Sequence, residues 1–326
     1  MKFMITGASG FVGKLLCAEM LRRNQIVRTA YRSLHTTAQG TEAVAIGEIN
    51  GETDWNNALS GIDAVIHLAA RVHMIRDTAA DPLAEFLKVN LHGTENLARQ
   101  AAQAGVKRFV YVSSIKVNGE CTTGEQSFSE SDPANPQDPY AISKWQAEQA
   151  LHRLAQESGL EVVIVRPPLV YGPGVKGNFL SLLKAVEQGM PLPLAGANNA
   201  RSLVYVDNLA DALIACATHP SAAGQTYLVS DGEAVSTAAL VDKMAQALGR
   251  PNRSFYFPPG LLRTVAALSG RADQMDKLLG SLRINDQKIR RELGWAPPYS
   301  LEQGLRATAD WYLAKNNAIG YNRATS

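Results

Sequence analysis

The sequence predicts an α/β fold in which helices cover both faces of a parallel sheet. Short and almost continuously apolar runs in the first half of the chain, such as 64–69 and 162–165, are typical of strands buried on both faces. Longer segments with the helical spacing of apolar residues separate these runs. This alternation implies parallel strands joined by right-handed crossovers, and therefore a doubly wound parallel sheet.

The predicted elements divide the chain near residue 166. The expected strands of the large sheet are Lys2–Thr6, Ile26–Tyr31, 43–47, 64–69, 108–113 and Glu161–Arg166, and the main helices between them are 11–23, 83–104 and 140–158. Prolines and glycines between 167 and 193 predict loops of the kind that cover a substrate. Later helices are expected at 207–218, 236–248 and 300–314, with small strands at 203–206 and 226–229. We expect a first domain of residues 1–166 and a smaller mixed α/β C-terminal substrate domain of residues 167–326, partly interleaved with the first.

Composition excludes several classes of protein. The chain of 326 residues is 46% hydrophobic and has a formal net charge of only +2, which argues against a dedicated nucleic-acid-binding protein. Three cysteines without a CxxC pair argue against a disulfide framework or a zinc site, so we expect no metal. We find no signal peptide and no apolar stretch long enough to span a membrane, and we expect a cytoplasmic protein. Peripheral attachment to a membrane is left open.

A glycine-rich turn follows the first strand and opens the first helix. Its glycines permit positive φ and close approach of backbone N–H groups to a ligand, and the helix N-terminus favours a pyrophosphate. A phosphate-binding loop of the nucleotide triphosphatases fits poorly, because Leu15 stands where that loop has Ser or Thr. We therefore predict a Rossmann-type dinucleotide site. The expected contacts in the turn are Gly7, Ser9, Gly10, Phe11, Val12 and Gly13.

The end of the second strand indicates the type of dinucleotide. NAD-selective sites of this kind carry an Asp or Glu there to bind the ribose hydroxyls, whereas this strand ends in Tyr31, Arg32 and Ser33. Arg32 and Ser33 suit a 2′-phosphate, although Arg32 can equally stack on adenine. The cofactor is therefore expected to be NAD(P)(H), with a preference for NADP(H).

Tyr140 and Lys144 are the predicted proton-transfer pair. They lie four residues apart and so share one face of a helix that begins near Pro139. An ammonium near a phenol is expected to lower the pKa of the phenol, which makes Tyr140 an acid toward a ketone or a base toward an alcohol. Ser114 follows the fifth strand, at the sheet edge where ligands bind, and can hydrogen-bond the reacting oxygen.

Asn90 interrupts a helical pattern before this pair. Its side chain can hold a water molecule or a backbone carbonyl near Lys144. A polar residue that merely bends the helix is the alternative, and the two interpretations are compatible.

These motifs together resemble the extended short-chain dehydrogenase/reductase family, and within it the nucleotide-sugar epimerases and dehydratases. The resemblance covers nearly the whole chain. It rests on the glycine turn, Asn90, Ser114, the Tyr140–Lys144 pair and three short segments, His67-Leu68-Ala69-Ala70, Arg166-Pro167 and Tyr171-Gly172-Pro173.

The resemblance implies a set of site residues. Ser114, Tyr140 and Lys144 would be catalytic. Further cofactor contacts would be Leu68, Ala69, Ala70, Asn90, Tyr140, Lys144 and Pro167. Contacts to a UDP-sugar substrate would be Ser114, Lys116, His73, Asn178 and Arg201, with Asn178 and Arg201 on the diphosphate. The family also implies a homodimer.

Departures from the family pattern narrow the expected reaction. The 4,6-dehydratases carry an Asp-Glu pair after the catalytic Ser or Thr, whereas this chain has Ile115 and Lys116, so dehydration is not expected. UDP-galactose epimerases have a tyrosine where this chain has Asn118. We expect reduction of a UDP-4-keto-6-deoxy-N-acetylhexosamine, as in polysaccharide synthesis. The alternatives are a UDP-hexose 4-epimerase, a ketoreductase for a hydrophobic substrate and a non-catalytic dinucleotide-sensing regulator.

Overall fold

A computed structural model describes residues 1–34, 37–72, 81–270 and 272–324, although not the side chains of 272–274 and 317–324. The first half of the chain supplies six strands of the larger sheet. Its elements are β1 Lys2–Thr6, α1 Phe11–Arg22, β2 Ile26–Tyr31, β3 Glu42–Ala45, α2 Asn56–Leu59, β4 Ala64–His67, α3 Pro82–Leu87, a π-helical turn Lys88–Gly93, α4 Thr94–Gln103, β5 Arg108–Val112, a 3₁₀ turn Ile115–Val117, α5 Pro139–Ser158 and β6 Glu161–Arg166.

The second half adds a smaller sheet and most of the remaining helices. Its elements are β7 Leu169–Tyr171, α6 Gly177–Glu187, β8 Arg201–Tyr205, α7 Val206–Thr218, a 3₁₀ turn Pro220–Ala222, β9 Thr226–Leu228, β10 Ala234–Val235, α8 Thr237–Leu248, α9 Pro259–Leu268, α10 Ala272–Leu279, α11 Gln287–Leu293 and α12 Leu301–Ala324. No helix in the described ranges is both long and apolar enough to cross a bilayer.

The larger sheet has the order β3-β2-β1-β4-β5-β6-β9, and all its strand pairs are parallel. The order reverses at β1, so the carboxyl ends of β1 and β4 border the crevice where such sheets bind ligands. The smaller sheet, β10-β8-β7, combines one antiparallel and one parallel pair. The predicted Rossmann-type doubly wound sheet with a smaller mixed sheet is thus confirmed.

Successive residues of β1 point into different cores, which is why the centre of the strand is continuously apolar. Phe3 and Ile5 are fully buried on the face covered by α1 and α7, while Met4 is buried on the face covered by α4 and α5. Cys17 and Cys216 are buried in the first of these cores, as their apolar surroundings in the sequence indicate. A third core fills the second half of the chain and also packs against Phe11 and Val12.

Three predicted elements differ from the structure. The last helix, expected at 300–314, continues to Ala324. The expected helix 83–104 is three segments, because Asn90 lies in the π-helical turn between α3 and α4. The strand expected near 226–229 is β9, which pairs with β6 and extends the larger sheet. The second half of the chain therefore completes the sheet that the first half begins.

Candidate active site

The glycine turn between β1 and α1 is sterically closed to side chains. Gly7 has φ of 70°, and a Cβ there would lie 2.8 Å from the backbone nitrogen of Ala69. A Cβ on Gly13 would lie 2.2 Å from the carbonyl oxygen of Gly7, so α1 packs directly on the turn. The turn is therefore built of backbone, as close approach to a pyrophosphate requires.

The N-terminus of α1 fits a dinucleotide. Gly10 caps this helix without a side chain, and Ser9 and Gly10 are exposed. The side chains of Phe11 and Val12 pack against the core of the second half, which leaves their backbone N–H groups as the ligand-facing part. The residues present thus suit an anionic pyrophosphate, held by the backbone and not by side chains.

Replacing Gly13 by alanine is expected to abolish cofactor binding. The added methyl group would collide with the backbone of Gly7 and Ala8, so α1 must move away from the turn, at a cost of about 1–3 kcal/mol. Titration of the protein with NADH and NADPH, together with thermal unfolding, measures both effects. Gly260→Ala is the matched control, because a Cβ there meets nothing within 4 Å. Normal cofactor affinity in Gly13→Ala would contradict the assignment of this turn.

A buried histidine holds the loop that faces Gly7. His67 ends β4, and its Nδ1 and Nε2 lie 2.6 Å and 3.0 Å from the Oγ1 atoms of Thr6 and Thr94. Thr6 Oγ1 also accepts a hydrogen bond from the backbone N–H of Ala69 at 3.1 Å. Burial, and then the charge of Lys144, lowers the pKa of His67 to about 3, so the imidazole is neutral. This network fixes Leu68, Ala69 and Ala70 beside the glycine turn.

The structure brings Ser114, Tyr140 and Lys144 together at the carboxyl edge of the sheet. Ser114 lies two residues beyond β5, and its hydroxyl forms a hydrogen bond with the Tyr140 phenol. Tyr140 and Lys144 are in the first two turns of α5, whose N-cap Asp138 accepts a hydrogen bond from the backbone N–H of Ala141 at 2.7 Å. The cap and Pro139 fix where α5 begins, and therefore where both side chains project.

The predicted lowering of the Tyr140 pKa is wrong for the protein without ligands. Burial, and secondarily the carboxylate of Asp138, raises the pKa of Tyr140 to about 12, while the hydrogen bond with Ser114 opposes this shift. Burial also lowers the pKa of Lys144 to about 7. Spacing along the helix places the two residues on one face of α5, but it could not show that desolvation of both groups outweighs their interaction.

Two contacts hold the side chain of Lys144 at the carboxyl end of β5. Its Nζ donates a hydrogen bond to the carbonyl oxygen of Val112 at 2.8 Å and lies 4.5 Å from the centre of the Tyr111 ring. The side chain is only 2% exposed. Lys144 therefore keeps a fixed position one helical turn beyond Tyr140.

A carboxylate that the sequence pattern did not reveal counteracts the effect of burial on the pKa of Lys144. Glu148, one further turn along α5, is fully buried, and its negative charge raises the pKa of Lys144. Glu148 accepts hydrogen bonds from Ser113 Oγ at 2.5 Å and from Arg166 Nε and Nη2 at 3.0 and 2.5 Å. Arg166 also donates to Asn118 Oδ1 at 3.0 Å. The four-residue spacing of Tyr140, Lys144 and Glu148 was the available signal, since it places all three on one helical face.

Asn90 connects the π-helical turn to the helix of the catalytic pair. Its amide nitrogen donates to Ser143 Oγ at 2.9 Å and to the carbonyl oxygen of Arg71 at 3.0 Å, and its Oδ1 accepts from the backbone N–H of Arg71 at 2.8 Å. Ser143 in turn donates to the carbonyl oxygen of Tyr140 at 2.7 Å. The side chain of Asn90 thus anchors the first turn of α5. A direct role toward the cofactor stays a prediction.

Lys116 is close to the cluster but is paired with acids. Its backbone N–H donates to Ser114 Oγ at 3.3 Å, and its Nζ forms ion pairs with Asp138 and, at 3.1 Å, with Glu120. These contacts raise the pKa of Lys116 although burial opposes them. Lys116 therefore offsets the charge of the carboxylate nearest to Tyr140, and contact with a sugar stays a prediction.

The remaining predicted residues lie on other elements of the fold. Arg32 is exposed directly after β2, and Pro167 is buried after β6, where its carbonyl oxygen accepts from the N–H of Ile115 at 3.0 Å. Asn178 is exposed in the first turn of α6. Arg201, at the start of β8, donates from Nη1 to the carbonyl oxygen of Gly280 at 3.0 Å, and burial lowers its pKa. His73 lies outside the described residues.

The chain is similar in sequence to known proteins of one family. Residues 3–230 match the model of the NAD dependent epimerase/dehydratase family. The chain belongs to this family. It is therefore an enzyme of the extended short-chain dehydrogenase/reductase type, as its motifs predict. It is 43% identical over 316 residues to the "UDP-glucose 4-epimerase" of Vibrio cholerae, and the match covers 96% of each chain.

More distant relatives span the same length. The chain is 27% identical over 322 residues to the "N-acetyl-alpha-D-glucosaminyl-diphospho-ditrans,octacis-undecaprenol 4-epimerase" of Escherichia coli O157:H7, with 94% of each chain covered. Among solved structures it is similar to "MoeE5 in complex with UDP-glucuronic acid and NAD", with a TM-score of 0.76 and 25% identity over 97% of this chain and 100% of the other. These matches extend over both halves of the fold.

Proposed function

We propose that this enzyme uses a nicotinamide dinucleotide to change the oxidation state of C4 in a UDP-linked sugar, and that its net reaction is reduction of a 4-keto sugar. The observation that carries the proposal is the Ser114–Tyr140–Lys144 cluster at the carboxyl edge of the sheet, beside the glycine turn. The V. cholerae and MoeE5 names, which refer to UDP-sugars, support the class of substrate.

The pKa of Tyr140 fits the role of proton donor in the step that reduces the C4 ketone, a step that a reductase and an epimerase share. A phenol with a pKa of about 12 keeps its proton at neutral pH and suits the role of proton donor to a ketone. When bound, the nicotinamide supplies the hydride. Ser114 would hydrogen-bond the C4 oxygen, Tyr140 would give that oxygen its proton, and Lys144 would stabilise the phenolate that remains. Arg201 and Asn178 would bind the diphosphate.

A UDP-hexose 4-epimerase is the second candidate, and the 43% identical V. cholerae relative favours it. An epimerase uses the same three residues, but it oxidises and reduces C4 in turn and retains its cofactor. The deciding experiment supplies the pure enzyme with NADH or NADPH and a panel of UDP-4-keto-6-deoxy sugars and UDP-hexoses. Net loss of absorbance at the nicotinamide band with a keto sugar supports the reductase. Interconversion of two UDP-hexoses without that loss would overturn it.

Arg32 is expected to set the preference between the two dinucleotides. It is exposed after β2, where this chain has no carboxylate to bind ribose hydroxyls, so we propose that it binds the 2′-phosphate of NADP(H). Arg32→Ala should weaken NADPH binding about 10–150-fold and leave NADH binding almost unchanged, since a charged hydrogen bond contributes about 1.5–3 kcal/mol. Equal losses for both cofactors would instead indicate stacking on adenine.

A further inference from the structure

Exposed apolar side chains concentrate in one segment of the second half. Of the twelve large apolar residues that are exposed in the described part of the chain, five lie between 255 and 268. They are Phe255, Tyr256, Leu261, Val265 and Leu268, and Leu268 is 85% exposed. Scattered apolar residues on a surface are ordinary, but a contiguous group marks a contact with a partner or a membrane.

Helix α9 presents two apolar faces. Leu262 and Ala266 are buried against the protein, whereas Leu261, Val265 and Leu268 share a separate face and are more than half exposed. Their spacing of four and three residues aligns them along the helix. The helix is therefore attached by one apolar face and offers the other to the surroundings.

The same segment has an excess of positive charge. Residues 250–280 contain five basic and two acidic residues, a net charge of +3, whereas the whole chain has +2. Including Glu187, which pairs with Arg250 at 3.1 Å, leaves an excess of +2. Leucines, aromatic residues and arginines in one short segment are the composition of helices that lie in the interface of anionic membranes.

The segment is fixed to the predicted diphosphate site. The carbonyl oxygen of Gly280, just after α10, accepts hydrogen bonds from Arg201 Nη1 and Asn199 Nδ2, both at 3.0 Å. Asn199 Nδ2 and Thr237 Oγ1 also donate to the carbonyl oxygen of Leu278, at 3.1 and 2.5 Å. Helices α9 and α10 form a hairpin, and Gly280 at its C-terminal end is hydrogen-bonded to Arg201. The outer face of α9 is part of this hairpin.

We propose that this outer face of α9 docks the enzyme on the surface of an anionic phospholipid bilayer. Leu261, Val265 and Leu268 insert among the lipids, and Arg253 of the same segment binds the headgroups. A second copy of the chain is the less favourable occupant, because apposing two positively charged segments is repulsive, whereas an anionic lipid surface neutralises them. Docking holds the Arg201 end of the substrate site close to the membrane.

Sedimentation with vesicles tests this proposal. Full-length protein should sediment with vesicles that contain one third phosphatidylglycerol but not with pure phosphatidylcholine, and 0.5 M NaCl should release it. Leu261→Glu and Leu268→Glu, singly and together, should weaken binding at least tenfold, and Arg253→Gln about fivefold. The matched control is Ile26→Glu, which replaces another side chain that is 56% exposed, at the start of β2 in the first half of the chain. Turnover of a soluble UDP-sugar should be unchanged in each variant, so docking and the proposed function are tested separately.

Three results would overturn the proposal: no sedimentation of the wild type with anionic vesicles, equal binding by the Leu261→Glu/Leu268→Glu double variant, or an equal loss in Ile26→Glu. Concentration-dependent dimerisation that the double variant abolishes, without vesicle binding by the wild type, would assign the face to a second copy instead.

Discussion

Replacing Tyr140 by phenylalanine is expected to lower kcat by about 10²–10⁴-fold, the usual contribution of a positioned acid or base. The variant loses only the hydroxyl group that hydrogen-bonds Ser114, while its ring can keep the edge-on contact with Phe86, whose centre is 6.1 Å away. Binding of cofactor and substrate should therefore change little. Pre-steady-state and steady-state kinetics, with calorimetric titration of both ligands, separate the chemical step from binding.

Tyr111→Phe is the matched control for this prediction. Tyr111 lies directly beside the same amine, and its ring contact with Lys144 survives the loss of the hydroxyl group. This phenol is fully buried, so a substrate oxygen cannot reach it, and burial also raises its pKa well above the ordinary value. Retention of most activity in Tyr111→Phe and its loss in Tyr140→Phe would assign the proton to residue 140. Comparable activities would refute that assignment.

The fold could be predicted because the strands of the large sheet are buried on both faces. β1, β2 and β6 have the predicted bounds: the apolar runs 3–5 and 162–165 form the buried centres of β1 and β6, and the polar residues Arg32 and Ser33 follow β2. The sequence places an interruption of the helical pattern at Asn90, but it could not predict a π-helical turn or the hydrogen bond from Asn90 to Ser143, 53 residues away. Periodicity detects local packing, and it cannot detect a side chain that bonds across the fold.

The same distinction applies to the candidate site. Ser114, Tyr140 and Lys144 carry local signals, a strand end and a helical spacing, and the structure brings them together. No local signal pairs Glu148 with Arg166. They lie on α5 and β6, and they come into contact only after the sheet has formed. The pKa values of Tyr140 and Lys144 depend on burial, which is a property of the folded chain and not of residue spacing.

Glu148→Gln is expected to have the second large effect, on both stability and chemistry. The substitution leaves Arg166 charged, with 6% of its side chain exposed, and without its carboxylate partner. Removal of one partner of a buried ion pair typically lowers the free energy of unfolding by about 3–5 kcal/mol. Denaturant unfolding measures this loss. Glu161→Gln is the control, since its pair with Arg108 is half open to water and should contribute less than about 1 kcal/mol.

Glu148 is expected to affect the chemical step through the pKa of Lys144, and the direction of this effect follows from the charge of its carboxylate. The carboxylate raises the pKa of Lys144 against burial, so its removal lowers that pKa below about 7. If the ammonium is the active form, kcat falls as pH rises through the pKa of Lys144, and this fall should occur at lower pH in Glu148→Gln than in the wild type. Glu161→Gln should leave the profile in place. A loss of stability without displacement of the profile would show that Glu148 serves the packing of α5 against β6 alone, and that the charge of Lys144 is maintained by the bound ligands.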